Sequence, residues 1–246
     1  MKQRPVYQIC MIVDLCLMII ISILALKVKL NPSYTKEKNI GTMSVAREEQ
    51  AAGASAEEGN EVKPKIALTF DDGPHPVYTS KLLDGLKSRG VKATFFIVGK
   101  NINGNEEIVK RMDHEGHLIG NHTFNHVQIN LLNDTEAQEE LTKTSDTIEE
   151  ITGHGTEYIR PPFGVSKKGL DQVIPMISVL WTVDPLDWTT ENVDKVVNQV
   201  VTKVKENDII LLHDYYDSSI EAAFRIIDIL QKEGYEFVTV DELILD

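Results

Sequence analysis

Side chains that bind metals occur in two short clusters of this sequence. Asp71 and Asp72 are adjacent, and His122 and His126 lie four residues apart. Histidines at that spacing share one face of a helical turn, which is a common way to bind one zinc ion. Two histidines and one carboxylate, from either aspartate, make three ligands and leave a position open for water, as in catalytic zinc sites. The alternatives are a turn at the acidic pair and a solvated helix face at the histidines.

Three further polar clusters offer groups for proton transfer and substrate contact. Arg160 begins a rigid Arg-Pro-Pro-Phe-Gly segment that could hold a carboxylate and aim a backbone N–H. Trp188, close to Asp187, offers an apolar face that suits a sugar ring. His213 ends an apolar run, where a histidine is well placed to transfer protons. The alternative interpretations are a surface arginine in a turn, a core tryptophan and a structural histidine.

Predicted strands and helices alternate along residues 64–246. Short apolar runs predict strands at residues 66–70, 93–98, 176–183, 209–212 and 236–240. Helical patterns cover residues 78–87, 106–115, 136–151, 193–204 and 219–232. Thr135 and Gln138 form a capping-box pattern at the start of the third helix. The alternation predicts a parallel α/β domain but does not separate a barrel from an open sheet.

The polar clusters all fall on the carboxyl side of a strand or strand-like segment. The two strand-like segments are residues 117–120, before the histidines, and residues 156–159, before the arginine. In parallel α/β folds the carboxyl ends of the strands carry the active groups, so the clusters are expected to meet. Together they contain the groups needed for metal-assisted hydrolysis of an acyl group.

Composition excludes several other functions. The net charge of -13 and the sequence pI of about 5.0 disfavour binding to phosphate backbones, so we expect no nucleic-acid partner. A neutral glycan would not be repelled. Cys10 and Cys16 are the two cysteines of the chain, and both lie in an apolar N-terminal stretch. The remaining sequence therefore has neither a disulfide framework nor a cysteine zinc site.

The N-terminal region resembles a membrane-targeting segment. A short cytoplasmic N-terminus at residues 1–8 precedes an apolar run at residues 9–26, which Asp14 interrupts. The run is at the short end for a spanning helix, and no small-residue cleavage motif follows it. These features favour an uncleaved signal anchor over a cleaved signal peptide, which would make the protein secreted. Residues 27–63 have the composition of a flexible polar linker. We expect a single-pass membrane protein with its catalytic domain, residues 64–246, outside the cell. Lysines flank both ends of the apolar run, so charge does not fix this orientation, and it rests mainly on the substrate that the resemblance described next implies.

From residue 65 to residue 245 the sequence resembles the polysaccharide deacetylases, also called the NodB-homology family or carbohydrate esterase family four. Motifs of that family occur in order at residues 69–74, 122–126, 160–164, 184–188 and 211–213. The resemblance implies a distorted (β/α) barrel with a divalent metal, zinc in the first place and cobalt or nickel in some members. It also implies removal of N-acetyl groups from a cell-wall polysaccharide, with peptidoglycan as the first choice and chitin-like oligomers as the second.

The resemblance also implies a role for each site residue. It implies that Asp72, His122 and His126 bind the metal. It implies that Asp71 is the general base, that His213 is the general acid, and that Arg160 and Asp187 position these two residues. The residues implied to contact the substrate are Phe163, Trp188 and Leu211. Phe163 stands where many members have tyrosine. Its backbone N–H could still bind an oxyanion, whereas a phenol contact to substrate is lost.

Two alternatives keep the fold but change the function. An esterase that removes O-acetyl groups from glycans would use the same residues, because the same site can attack both carbonyls. A non-catalytic glycan-binding relative would lack a ligand, base or acid, and none is missing here. A purely structural anchored protein would leave the motifs unexplained. The expected partners are a polysaccharide and, through the N-terminal helix, a membrane, and no protein partner is evident.

Overall fold

The computed structural model describes residues 63–169 and 174–245. The signal anchor predicted at residues 9–26 and nearly all of the linker predicted at residues 27–63 lie outside these ranges. Within them, no helix combines the length and the apolar character needed to cross a membrane.

A parallel sheet forms the centre of the described domain. Its strands are β1 (Lys65–Asp71), β2 (Thr94–Ile97), β3 (Leu118–Asn121), β4 (Tyr158–Ile159), β5 (Ile177–Ser178), β6 (Ile209–His213) and β7 (Glu236–Val238). The strand order is β5-β4-β3-β2-β1-β6, and β7 pairs with the first residues of β1. Every pairing is parallel, as the alternation of strands and helices predicted.

The sheet curls until its two ends meet. Val183, which follows β5 in the chain, pairs with Ile210 of β6 in an isolated bridge. The N–H groups of Thr182 and Val183 both donate to the carbonyl of Ile209, at 2.9 and 3.1 Å. This contact joins the far edge of the sheet to β6, and the result is the distorted (β/α) barrel that the resemblance implied.

The helices surround the sheet. They are α1 (Tyr78–Arg89), α2 (Gly99–Ile102), α3 (Glu106–His114), α4 (Asp134–Thr152), α5 (Val193–Val201), α6 (Asp217–Lys232) and α7 (Val240–Leu245). Short 3₁₀ turns occur at Ile129–Leu131, Pro162–Gly164 and Asp187–Thr189. The five predicted helices are present, and the short α2 and α7 were not predicted.

Several details of the sequence prediction are wrong, among them the end of the helix predicted at residues 193–204, which stops at Val201. The strand predicted at residues 176–183 is reduced to β5 and one bridge, and both residues of β5 are exposed. The strand predicted at residues 236–240 ends at Val238, because the chain turns there into α7. Helix α4 starts two residues early: Asn133 accepts from the N–H of Glu136, whose side chain accepts from the N–H of Asn133. This pair replaces the predicted capping box.

Strand β1 shows how the core and the site share one element. Ile66, Leu68 and Phe70 belong to the main apolar core, together with buried residues of α1, α5 and α6. The intervening side chains point to the opposite face because successive residues of a strand alternate. Thr69 and Asp71 lie on that second face. The alternation therefore brings a carboxylate to the carboxyl end of β1, a strand that pairs with three others.

Candidate active site

The acidic pair lies at the carboxyl end of β1, where the chain makes a sharp turn. Asp71 is the last residue of the strand and is 3% exposed. Asp72 has a φ of 77°, a left-handed conformation that is unusual for a residue other than glycine. The side-chain amide of Asn101 donates to the Asp72 carbonyl at 2.7 Å and so stabilises this turn.

The histidine loop follows β3, but it is not helical. His122 and His126 lie in an irregular segment, so the predicted helical turn is wrong. Thr123 and His126 have φ values of 61° and 58°, which no right-handed helix contains. The Glu140 carboxylate accepts from the backbone N–H groups of residues 124 and 125, at 3.0 and 2.8 Å. The bend held in this way brings the two imidazoles together.

Asp72, His122 and His126 form a compact candidate metal site. Their ligand atoms lie within 4.8 Å of one another. Asp72 Oδ1 lies 3.2 Å from His126 Nε2 and 3.6 Å from His122 Nε2. The same oxygen is buried and has no hydrogen-bond partner among the described residues. A buried carboxylate oxygen is costly without a compensating charge, so this arrangement fits a divalent cation.

The second ring nitrogen of His122 fixes the tautomer of this ligand. His122 Nδ1 lies 2.6 Å from the carbonyl oxygen of Arg160, a geometry in which Nδ1–H donates. The lone pair of Nε2 is then directed towards the other two ligands, as in metal sites where the outer nitrogen is hydrogen-bonded. Burial lowers the pKa of His122, which keeps the ring neutral and able to bind a metal.

Arg160 holds the second carboxylate of the acidic pair. Its side chain is completely buried, and Nη1 donates to Asp71 Oδ1 at 2.8 Å and to Thr69 Oγ1 at 2.7 Å. Two more donors bind backbone carbonyls, those of Val179 at 3.2 Å and Leu180 at 3.1 Å. The guanidinium therefore cannot move without breaking several bonds. Asp71 is held by one oxygen, and its other oxygen lies 3.8 Å from the Nε2 of the first histidine ligand.

His213 and Asp187 form a second fixed pair. His213 Nδ1 donates to Asp187 Oδ1 at 2.8 Å, and the His213 backbone N–H donates to Oδ2 at 2.9 Å. Burial alone would lower the pKa of His213. The hydrogen bond and charge of Asp187 outweigh this effect, and with the nearby carboxylates of the site they raise the pKa to about 9. His213 is therefore protonated at neutral pH.

A cleft of about 410 Å³ joins these groups. Leu211 forms a buried wall of the cleft, whereas Phe163 and Trp188 lie at its rim and are 64% and 55% exposed. Phe163 has a φ of 62°, and its ring packs edge-on against His126 at 5.0 Å between centroids. Except for Arg160, which lies behind Asp71, and Asp187, which lies behind His213, every predicted site residue lines this cleft.

The sequence analysis missed several neighbours of the site. Trp181 and Tyr216 also line the cleft, as does Asp184, which begins the motif at residues 184–188 but was given no role. Trp181 lies in the apolar run at residues 176–183, which predicted a strand and gave no signal of a site. Tyr216 lies three residues after His213, in the loop before α6, and this closeness was the available signal. Asn101 lies far from the motifs in the sequence, and only the fold brings it to Asp72.

Comparison with known proteins agrees with this geometry. The family model described as polysaccharide deacetylase matches residues 58–175. A peptidoglycan-N-acetylglucosamine deacetylase of Bacillus cereus is 37% identical over 187 residues, which cover 73% of this chain and 87% of that protein. The chain belongs to the polysaccharide deacetylase family.

Two further members of the family show how widely its substrates vary. The peptidoglycan-N-acetylmuramic acid deacetylase PdaC of Bacillus subtilis is 40% identical over 178 residues, or 72% of this chain, but the match spans only 38% of that protein. A solved structure of PdaC has a TM-score of 0.72 at 39% identity and covers 74% of this chain and 90% of the PdaC chain. A family 4 acetyl xylan esterase from Clostridium thermocellum, solved with a cobalt ion, has a TM-score of 0.70 at 33% identity, with 74% and 90% coverage.

Proposed function

We propose that this polysaccharide deacetylase family member is a metal-dependent hydrolase that removes N-acetyl groups from the amino sugars of a cell-wall polysaccharide. The observation that carries the proposal is the convergence of three groups on one cleft: a candidate metal site, a carboxylate held by Arg160 and a histidine paired with Asp187. Peptidoglycan is the proposed substrate, because the Bacillus subtilis and Bacillus cereus relatives are named for it. Chitin-like oligomers are the second choice.

The proposed cofactor is a divalent metal ion held by Asp72, His122 and His126. Zinc is the first choice, because two histidines and one carboxylate are a usual ligand set for catalytic zinc, and cobalt or nickel are the alternatives. When bound, such an ion supplies a Lewis acid that polarises a carbonyl and lowers the pKa of a water molecule. The protein supplies the proton transfers.

Asp71 and His213 divide the proton transfers between them. Asp71, held by Arg160, accepts a proton from the attacking water. The backbone N–H of Phe163 donates a hydrogen bond to the oxygen that becomes negative, and one such donor contributes roughly 3 kcal/mol in the transition state. His213 gives its proton to the sugar nitrogen as the carbon–nitrogen bond breaks. Water and the acetamide are thereby converted to acetate and an amine.

The roles of metal ligand and base predict different behaviour in two variants. His126→Ala should lose bound metal and activity together, because it removes a ligand. Asp71→Asn should keep the metal and lose most turnover, by a factor of about 10²–10⁴ for the loss of a general base. Both are measured on the full chain, as metal content by elemental analysis and as acetate released from peptidoglycan, chitooligomers and acetylxylan, with and without a chelator.

His114→Ala is the matched control for these variants, because His114 is an exposed histidine outside the cleft. It should keep both metal content and turnover. Wild-type turnover by Asp71→Asn would refute the assignment of the base. Turnover by the wild-type protein that is indifferent to the chelator would refute the metal-dependent reaction altogether.

Removal of O-acetyl groups is a second candidate function, and the acetyl xylan esterase among the relatives favours it. The pairing of His213 with Asp187 favours an amide substrate instead. An amine leaves only when its nitrogen is protonated, whereas an alcohol is a better leaving group, so a histidine with a pKa of about 9 serves the amide more. On the panel of three glycans, greater acetate release from acetylxylan than from the N-acetylated polymers would favour the esterase.

We propose further that residues 9–26 anchor the protein in the cell membrane, with the catalytic domain outside. The support is the apolar run in the sequence. Detergent, but not high salt, should release the full-length protein from the membrane fraction. A soluble form in the medium that lacks these residues, identified by N-terminal sequencing, would show that the segment is cleaved.

A further inference from the structure

A second cavity opens beside the cleft. It has a volume of about 250 Å³, and Asp72, His126 and Tyr216 line both cavities. The cavity is smaller than the roughly 300–1,000 Å³ of a site for a drug-sized ligand, and it suits a single sugar ring. Its position means that a ring bound here would lie next to a ring whose acetamide reaches the candidate metal site.

Aromatic faces are available in this cavity. Tyr215 and Tyr216 are each 42% exposed, although they are large side chains in a loop that directly follows the acid histidine. The ring of His75 packs edge-on against Tyr215 at 5.0 Å and stacks on Tyr78 at 4.4 Å between centroids. Tyr215 is thus supported from behind while one side remains open. Exposed tyrosines with an apolar face and a polar tip suit the C–H faces and hydroxyls of a sugar.

Lys100 gives the cavity a positive charge. Among the described residues that line the two cavities, it is the one lysine or arginine. Its backbone N–H donates to the Phe124 carbonyl at 2.9 Å, and its ammonium group donates to the Asn125 carbonyl at 3.3 Å. These bonds place the side chain and leave further ammonium N–H groups for a ligand, because an ammonium has three donors.

Three other polar side chains that line this cavity already have partners or roles. The side-chain amide of Asn101 is bound to the carbonyl of Asp72, and Asp72 and His126 belong to the candidate metal site. Lys100 is therefore the charged group of this cavity that remains for substrate selection. In a protein of net charge -13, a single positive group beside the site distinguishes a carboxylate from a neutral substituent.

We propose that the smaller cavity is a subsite for the sugar next to the one that is deacetylated, and that Lys100 selects a carboxylate on that sugar. Tyr215 contributes contact area that does not depend on charge. The inference rests on the proposed function and narrows its substrate to amino-sugar polymers with free carboxylates on the sugar. In peptidoglycan these belong to strands that have lost their peptides, because an attached peptide converts the sugar carboxyl group to an uncharged amide. A neutral chitin-like chain would gain the tyrosine contact but no partner for the lysine.

The test measures binding rather than turnover. Asp71→Asn is present in every protein, so that the bound glycan is preserved in the metal-loaded full chain. The probes are peptidoglycan glycan strands freed of their peptides and the same strands with their carboxylates converted to methylamides. Titration calorimetry at low salt gives a dissociation constant for each. The carboxylate strands should bind about threefold to tenfold more tightly, the range expected for a partly exposed charge-assisted hydrogen bond.

Two substitutions at position 100 test the charge. Lys100→Gln should abolish the preference for carboxylate strands, whereas Lys100→Arg should retain it. Lys195→Gln is the matched control: it makes the same change of charge at an exposed lysine that lines neither cavity, and it should retain the preference. Tyr215→Ala should weaken the binding of both probes by a similar factor and leave their ratio intact.

The outcomes separate this inference from the proposed function. A preference that survives Lys100→Gln, or equal binding of both probes by the protein with Lys100, overturns the subsite. A Lys100-dependent preference supports it, even if the protein with Asp71 restored releases no acetate from any glycan. That last result would refute the deacetylase reaction and leave a carboxylate-selective glycan-binding site.

Discussion

At the scale of single residues, the charge of His213 depends on one neighbouring carboxylate. Burial lowers the pKa of the histidine, yet Asp187 and the other carboxylates of the site raise it to about 9. Asp187 is 2% exposed, so water screens its attraction for the imidazolium only weakly. The pair thereby keeps a proton available at neutral pH, when an isolated histidine would have lost most of it.

Asp187→Asn should move the alkaline limit of activity to lower pH. Asparagine has nearly the same shape, and its single carbonyl oxygen can still accept from the histidine Nδ1–H, whereas its NH2 group cannot accept from the His213 backbone N–H. Because asparagine carries no charge, the pKa of His213 should fall. In the wild-type protein kcat/KM should decline as His213 loses its proton near pH 9. The pH profile of kcat/KM for both proteins measures the shift.

Asp146→Asn is the control for that profile, because Asp146 is an exposed carboxylate of α4 outside the cleft. Its alkaline limit should match that of the wild-type protein. If Asp187→Asn also kept the wild-type alkaline limit of kcat/KM, a group other than His213 would determine that limit. The assignment of His213 as the general acid would then be wrong.

The structure brings the predicted metal ligands Asp72, His122 and His126 together, but not through the helical turn that their spacing predicted. A spacing of four residues predicted that His122 and His126 share a helical turn, and left-handed backbone at Thr123 and His126 rules out a helix there. The ligands meet because β1 and β3 end at the same edge of the sheet. The sequence did predict this meeting point, because the alternation of strands and helices indicated a parallel sheet with its active groups at the carboxyl ends of the strands.

At the scale of elements, long periodic segments were predicted well and short ones poorly. Helices α1 and α6 have broad apolar faces, and their positions were found to within two residues at each end. Strands β4 and β5 have two residues each. No local pattern can specify such strands, because they exist only through pairing with a neighbour that is distant in the sequence.

The true cap of α4 gives a prediction at this scale. The Asn133 side chain accepts from the backbone N–H of Glu136 at 3.0 Å, so Asn133→Ala should lower the free energy of unfolding by about 1 kcal/mol. Thr135 is exposed and already lies inside the helix. Thr135→Ala is therefore the matched control and should change the free energy by less than about 0.5 kcal/mol. Urea unfolding of both variants gives the two values.

The capping box predicted from the sequence, Thr135 with Gln138, predicts the opposite result. If Thr135→Ala were the costly change and Asn133→Ala the neutral one, α4 would begin where the sequence pattern placed it. The comparison thus determines the start of a helix whose Glu140 side chain holds the histidine loop.

At the scale of the whole molecule, Asp214 joins three parts of the fold. It follows β6, it accepts a short hydrogen bond from the Thr79 hydroxyl of α1, and it lies against Gly73 in the loop after β1. A Cβ at Gly73 would overlap the Asp214 carboxyl group, which explains why glycine stands there. The second carboxyl oxygen, Oδ1, is buried and has no hydrogen-bond partner among the described residues.

This carboxyl group should make the stability of the entire domain depend on pH. Burial raises the pKa of Asp214 from its ordinary value of 3.8 to about 7, so the folded protein binds this proton more tightly than the unfolded chain does. Stability from this group is therefore highest below pH 4 and decreases as the pH rises towards 7. The free carboxylate is buried at a cost, because one of its oxygens has no donor.

Asp214→Asn should remove that dependence, because the amide can still accept from Thr79 but has no proton to lose. Other groups titrate in the same range, so the informative quantity is the difference in unfolding free energy between the variant and the wild-type protein. Between about pH 5 and about pH 8 this difference should move in favour of the variant by on the order of 2 kcal/mol, since one pKa unit corresponds to about 1.4 kcal/mol. Urea unfolding at the two pH values measures it, with the exposed Asp146→Asn as a control that should show no such change. A constant difference would mean that Asp214 is ionised in the folded protein throughout this range, and that the contacts among β6, α1 and the Gly73 loop tolerate a buried charge.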